Sequence, residues 1–301
     1  MTFSTQSRHS LAFIPEAGFG EILLSPTMKG VRHTGCDLTL SKKTLESDEI
    51  RDDRQIGHFI HSLQSVSGDI DFEMSFGAYD ELLAAALFGN WDGNVLKTGT
   101  QQQSFTFERG FNDISQFQVY SGCVVDELNL SVQAESLVSG RFSIIGKEMS
   151  QQGVPLDISP SMGADFAPMD SFKGSIKEGG NVLAHIAGID LKIENDAKGT
   201  FVLGADSADE IVAGRSRVSG ELTAYFEDNS LINKFVNADA STLELDLRGG
   251  GGSYTILLPN ILYTGAEVPV KGERVVTINL PFVALHDDTE CSNIKITRNA
   301  I

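Results

Sequence analysis

Ser47 to Phe88 reads SDEIRDDRQIGHFIHSLQSVSGDIDFEMSFGAYDELLAAALF, and its parts decide the fold. A charged run through Glu46, Asp48, Glu49, Arg51, Asp52, Asp53 and Arg54 leads to Ser67-Gly68. Ile70, Phe72, Met74 and Phe76 then alternate with Asp71, Glu73 and Ser75, the period of two expected of a strand with one dry face and one wet, acidic face. Directly behind, Tyr79 to Phe88 sets Leu82, Leu83, Ala86 and Leu87 at helical spacing and stops at Gly89-Asn90.

Upstream, residues 1–35 read as an extended segment anchored by Phe13, Ile14, Phe19, Ile22 and Leu23, able to pack on its own domain or on a neighbour. Asp37 to Leu40 is a short strand. Ser41 to Val66 is then a long charged connection, beyond the roughly 12 to 15 residues at which loops tend to be functional or disordered. Downstream, Phe105 and Phe107 alternate with Ser104, Thr106 and Glu108 as a half-buried strand, and Gln116–Tyr120, Cys123–Val132 and Leu137–Lys147 follow as further strands.

With 301 residues the chain suits two domains, and thirty glycines against eight prolines between short alternating segments point to a mainly β protein. A net charge of −18 argues against a protein that grips nucleic acid by neutralising phosphates. The start lacks a secretory pattern, and no apolar run approaches the roughly 18 residues of a membrane span. Cytosolic synthesis is expected. Cys36, Cys123 and Cys291 are odd in number and far apart, which fits buried or inert thiols rather than a disulfide framework or zinc site.

The second half echoes the first. Gly35-Cys36-Asp37-Leu38 resembles Gly188-Ile189-Asp190-Leu191, Ser47-Asp48-Glu49-Ile50 resembles Ala208-Asp209-Glu210-Ile211, and Val66-Ser67-Gly68 resembles Val218-Ser219-Gly220. Leu222, Ala224 and Phe226 then alternate with Glu221, Thr223, Tyr225 and Glu227. Asn229-Ser230 is placed to cap a short helix through Phe235 and Val236, and a strand of Leu243, Leu245 and Leu247 answers that of Phe105 and Phe107. The charge of −18 divides equally between residues 1–153 and 154–301. These are the expected domains, joined by a Pro-, Gly-, Ser- and Asp-rich linker between about 150 and 180. Two repeats are too few for a solenoid and suggest a fused dimer that fills two neighbouring places in a ring.

Motifs for chemistry are weak. His58 and His61 have no third metal ligand beside them, His286-Asp287-Asp288 reads as a surface turn, and Arg248 to Ser253 reads as a hairpin tip without the ending of a phosphate loop. Asp71, Glu73, Glu221 and Glu227 could pair as hydrolytic carboxylates, but no aromatic sugar platform accompanies them. No catalysis, metal or cofactor is expected. The charged arm and its echo at Asn195 to Arg217 read as subunit contacts, carried by Glu46 to Arg54 and by Glu210, Arg215 and Arg217.

In their order, SDEIRDDRQ, VSGDIDFEMSFGAYDELLAAALFGNW and the RFSIIGKEM segment resemble the major tail tube proteins of long, flexible-tailed (siphovirus-type) bacteriophages. VSGELTAYFEDNSLINKFVNA and VVTINLPFVALHDD look like a diverged second tube domain, with Arg215 and Arg217 in place of Arg51 and Arg54. The resemblance implies two tandem β-sandwich or barrel domains, each with a short flanking helix and a long inter-ring loop. Rings of six tube domains imply a trimer of this chain, and about 24 strands at about 4.8 Å spacing and about 40° tilt would close a barrel about 50 Å across. It further implies a virion protein made in the host bacterial cytoplasm, stacked helically on itself. The expected partners are tape-measure protein in the lumen, terminator and distal tail or baseplate proteins at the ends, and DNA in transient passage. Asp71, Glu73, Glu221 and Glu227 are then expected to line the lumen. The competing readings are a secretion-system tube protein and a carbohydrate- or receptor-binding β-sandwich module.

Overall fold

The computed structural model describes residues 3–163, 165–183, 185–270 and 275–300. Its first half holds strands β1 (His9–Pro15), β2 (Lys29–Gly30), β3 (Gly35–Cys36), β4 (Thr39–Glu46) and β5 (Phe59–Glu73), then helix α1 (Asp80–Ala86). There follow β6 (Val95–Lys97), β7 (Phe105–Phe111), β8 (Gln116–Gln133), β9 (Ser139–Gly146) and β10 (Glu148–Gln152), with β11 (Ser161–Met162) between the halves. The second half holds β12 (Ser175–Glu178), β13 (Asn181–Val182), β14 (Ile186–Glu194), β15 (Lys198–Thr200), β16 (Glu210–Val212) and β17 (Arg217–Tyr225). Helix α2 (Ser230–Asn237), β18 (Ser241–Gly249), β19 (Gly252–Tyr263), β20 (Thr277–Ala284) and β21 (Lys295–Ala300) complete it. The chain is thus mainly β, as the alternating segments imply, and one apolar core runs through both halves.

β5 carries the expected alternation, with Ile70 and Phe72 buried and Asp71 and Glu73 half-exposed. The wet face ends early. Ser75 is buried, because the strand stops at Glu73 and the chain turns through Gly77, in left-handed backbone, into α1. Leu82, Leu83 and Ala84 to Ala86 of that helix enter the core, while Asp80 and Glu81 sit in its first turn, where a helix favours negative charge.

Three expectations are corrected. Gln116–Tyr120 and Cys123–Val132 form the single strand β8, because Gly122 (φ 61°) absorbs the irregularity between them. β7 is buried on both faces rather than one, and Glu108 accepts the Leu156 N–H at 2.6 Å. Burial pushes the Glu108 carboxyl above its ordinary range. Cys123 is buried and Cys36 half-buried, but Cys291 is exposed.

The Pro- and Gly-rich stretch after residue 153 is packed along the first half. Asp157 accepts the Met28 N–H at 2.9 Å, β11 pairs parallel with β2, and fully buried Met169 donates its N–H to the Met74 carbonyl at 2.7 Å.

Strand order and register coincide between the halves. Gly35 stands opposite Asp71 and Thr39 opposite Ser67, as Gly188 stands opposite Thr223 and Lys192 opposite Ser219. Val66 meets Gly146 and Phe72 meets Gly140, as Val218 meets Ala284 and Ala224 meets Ile278. Even an irregularity recurs: Phe105 pairs Cys123 and Phe107 pairs Tyr120, while Ser241 pairs Ile261 and Leu243 pairs Leu258. The Val-Ser-Gly echo has a steric basis in both places. A Cβ on Gly68 would lie 2.6 Å from Leu38 Cα, and one on Gly220 would lie 2.3 Å from the Asp190 carbonyl oxygen.

The halves are also clamped through side chains. Asp80 of α1 accepts from the Tyr254 hydroxyl and from Arg298, whose guanidinium lies 4.3 Å from the Trp91 ring centroid. Burial beside Asp80 raises the Tyr254 phenol, so it stays protonated as the donor. The Gly249–Gly252 turn joins β18 to β19 as a hairpin, as read from its glycines, yet the Phe76 ring fills the space a Cβ on Gly252 would take.

Candidate assembly interface

β8 is long enough to serve two sheets. Its first part pairs with β7 and β10, and from Val124 onward it pairs with β9 and then with β14. The antiparallel β8–β14 joint runs from Glu127 opposite Glu194 to Gln133 opposite Gly188. It carries the sheet of one half into the other in the order β4, β5, β9, β8, β14, β17, β20, β19, four strands from each half.

Residues opposite one another across antiparallel strands share a face. On one face of the joint Leu128, Leu130 and Val132 meet Ile193, Leu191 and Ile189, all buried. The other face is polar. One row crosses it through Glu73, Ser139, Ser131, Asp190 and Glu221, and another through Asp71, Arg141, Asn129, Lys192 and Ser219. Arg141 bridges Asp69 at 3.2 Å and Asp71 at 2.6 Å, and Lys192 bridges Glu127 and Glu194, both at 2.9 Å. These hydrogen bonds raise both cations above their ordinary values. Glu73 and Glu221 form no ion pair among the described residues, so carboxylates dominate the face.

Of the four acidic residues singled out, Asp71, Glu73 and Glu221 share this face. Glu227 does not stand on the sheet: β17 ends at Tyr225, and the carboxylate lies 3.2 Å from His185 past the strand end. Reading the charges of one strand in each half missed Glu127, Asp190 and Glu194. Their signal was the alternation in DELNLSVQ and GIDLKIE.

The charged connection from Ser41 to Val66 is not a loop. Most of it is the β4–β5 hairpin, Leu45 opposite Ile60 and Glu46 opposite Phe59, standing out from the sheet with residues 47–58 at its tip. Backbone pairing along the two strands satisfies groups that an open loop would leave to water. Arg51 holds Asp53 at 2.9 Å and keeps its carboxyl below the ordinary range, and His58 lies 4.0 Å from Glu49. Asp48, Asp52 and Arg54 are exposed at the tip. Between these charges Leu45, Ile50, Ile56, Phe59 and Ile60 are all exposed, an apolar surface that a search for charge overlooked.

The echo of this arm folds differently. β15 and β16 pair as a short hairpin, and Ile211 is buried with Ala197 against Phe88 and Val124 of the first half. Gln102 donates to the Ile211 carbonyl at 2.6 Å, and buried Asn195 donates to the Ala86 and Val125 carbonyls. Glu210 lies in β16, exposed Arg215 lies in the return to the sheet, and Arg217 opens β17 opposite Glu194. The Arg pair therefore stands at the root of this arm, whereas Arg51 and Arg54 stand at the tip of the other. The described residues include no group of three or more His, Cys, Asp or Glu able to hold a metal, and no helix long and apolar enough to cross a membrane.

A sheet joined across both halves, with one polar face and an arm of exposed apolar side chains, defines a mainly β protein that presents extended sheet and arm surfaces. The family model described as phage tail tube protein matches residues 6–284, and the chain belongs to that family, as a structural component of the virion tail. No curated protein matches the chain.

Proposed function

We propose that the chain is two tail tube domains in tandem and that three copies close a ring with the plan of a hexamer, in the tube of a long, flexible tail. The observation that carries this reading is the coincident register of the two halves, recurring bulge included, together with their union through β8 and β14. Four strands per half give about 24 in a trimer, and closure removes the free edges that would otherwise invite aggregation.

The polar face then lines the lumen, with Asp71, Glu73 and Glu221 among its carboxylates. Such a wall repels phosphates, so DNA passes without adhering, and it holds the tape-measure protein until ejection. Rings stack helically through the β4–β5 arm, whose exposed Leu45, Ile50 and Phe59 are covered by the adjoining ring. Terminator and distal tail proteins cap the ends. Electron microscopy of the purified chain tests this: hollow tubes of six-lobed rings that resolve to three-fold symmetry are expected. Persistent monomers, rings of six chains, or a reconstruction with Asp71 and Glu221 on the outside would overturn it.

A further inference from the structure

The internal β8–β14 joint has an open counterpart at the two ends of the joined sheet. Beyond Tyr263 the chain continues along β20: Thr264 donates its N–H to the Pro281 carbonyl at 2.7 Å, and Glu267 and Asn279 exchange backbone bonds of 2.9 and 2.8 Å. Glu267 opposite Asn279 occupies the place that Asn129 opposite Arg141 occupies in the first half. Ala266, Val268 and Val270 thereby fall where Leu128, Leu130 and Val132 fall. Their surroundings differ, since Val132 is 8% exposed and Val270 is 78% exposed.

At the far end of the sheet, β3 and β4 pair, among the described residues, with β5 alone. Against β5 they hold the register that β14 holds against β17, so Cys36, Leu38 and Leu40 stand where Ile189, Leu191 and Ile193 stand. One edge thus lacks what β8 supplies inside the chain, and the other lacks what β14 supplies.

Resting on the two-domain reading, we infer that Gly265–Val270 of one copy pairs antiparallel with Cys36–Ser41 of a second copy in the register of the internal joint. Cys36 lies opposite Val270, Leu38 opposite Val268 and Leu40 opposite Ala266. All six side chains then share the core-facing side, and a slip of one residue would turn one strand's apolar set onto the polar face. The carbonyls of Cys36 and Leu38 already accept from Arg109, and that of Leu38 also from Tyr120 at 2.8 Å. An sp² oxygen has two lone pairs, so Cys36 keeps one for the neighbour's N–H, while at Leu38 the new bond must be shared with or displace a side-chain donor. The same relation extends to the arms. Ile211 covers Val124 at the internal joint, while Leu262, the counterpart of Val124, is half-exposed beside the edge that receives the second copy.

Directly opposed residues have Cα atoms about 4.5 to 5.5 Å apart, within the span of a disulfide. Full-length chain carrying Val270→Cys and Cys291→Ser, with native Cys36 retained, is assembled, oxidised and run on non-reducing gels. Disulfide-linked dimers and closed trimers are expected, lost when Cys36→Ser is added. Glu267→Cys, on the opposite face, should not link to Cys36. If rings form in the microscope but Val270→Cys fails to link, or Val268→Cys links to Cys36 instead, the register is overturned while the ring reading stands. If no assembly forms, both fall.

Discussion

The two arms leave corresponding places in the strand order and end in opposite surroundings. Ile50, at the tip of the β4–β5 hairpin, is fully exposed, whereas Ile211 of the β15–β16 hairpin is 2% exposed against the first half. Both isoleucines directly follow Asp-Glu, so local sequence does not separate them. What separates them is the neighbour. The second arm follows β14, which is docked on β8 of the same chain, and the first continues from β3 and the root of β4, whose outer edge has no strand partner among the described residues. An arm is buried when the half it leans on lies within its own chain.

The largest effect expected from breaking this comparison is on assembly. Deleting Asp48 to Arg54 should leave a folded chain with an unchanged circular dichroism melt and abolish stacked tubes; normal tubes from the deletion would remove the first arm from the stacking contact. On stability the order of the arms reverses. Ile211→Ala should cost about 2 to 4 kcal/mol in urea unfolding, the usual range for truncating a buried isoleucine, while Ile50→Ala should stay within about 0.5 kcal/mol for the unassembled chain. Equal losses would mean that the first arm is buried in solution.

The roots of the arms should behave alike, because both contain a glycine pressed against a neighbouring strand. Gly68→Ala and Gly220→Ala should each cost about 1 to 3 kcal/mol, as overpacking does, read from the same denaturant curves. A neutral result at one of them would break the correspondence of the two halves there. The smallest effect concerns Asp126, which accepts the Ala197 N–H at 2.8 Å at the root of the second arm. Burial raises its pKa, helped by Glu127, Asp196 and Glu194. A raised carboxyl binds its proton more tightly when folded, so its contribution favours folding at low pH and is lost as pH rises through the raised value. Asp126→Asn, which keeps the acceptor, should therefore stabilise the chain slightly at neutral pH and lose that advantage below about pH 4. Thr264 stands at the corresponding place in the second half, where no such pH dependence should appear.

Much of this was legible in the chain. Ile70 and Phe72 announced β5 by alternation alone, and Leu82 and Leu83 announced α1 by helical spacing, since burial of one face imposes those periods whatever the rest of the fold. The Val-Ser-Gly echo was legible as a repeat, but the close approach its glycines permit shows only once the neighbouring strands are in place. Glu227 falls off the sheet because alternation does not say where a strand stops, and the arm has the sequence character of a loop because cross-strand pairing between residues thirteen or more apart leaves only a weak local trace in a charged segment.

The sequence by itself determined the β character, the helix after each main strand and the ordered echo between halves, because these depend on side-chain periodicity and on backbone freedom at particular residues. Only the tertiary structure decided that β8 joins β14, that one arm is covered and the other bare, and that Asp71, Asp190 and Glu221 share one face. Those facts turn on the register between strands distant in sequence, where a shift of one residue would exchange the buried and the polar side chains.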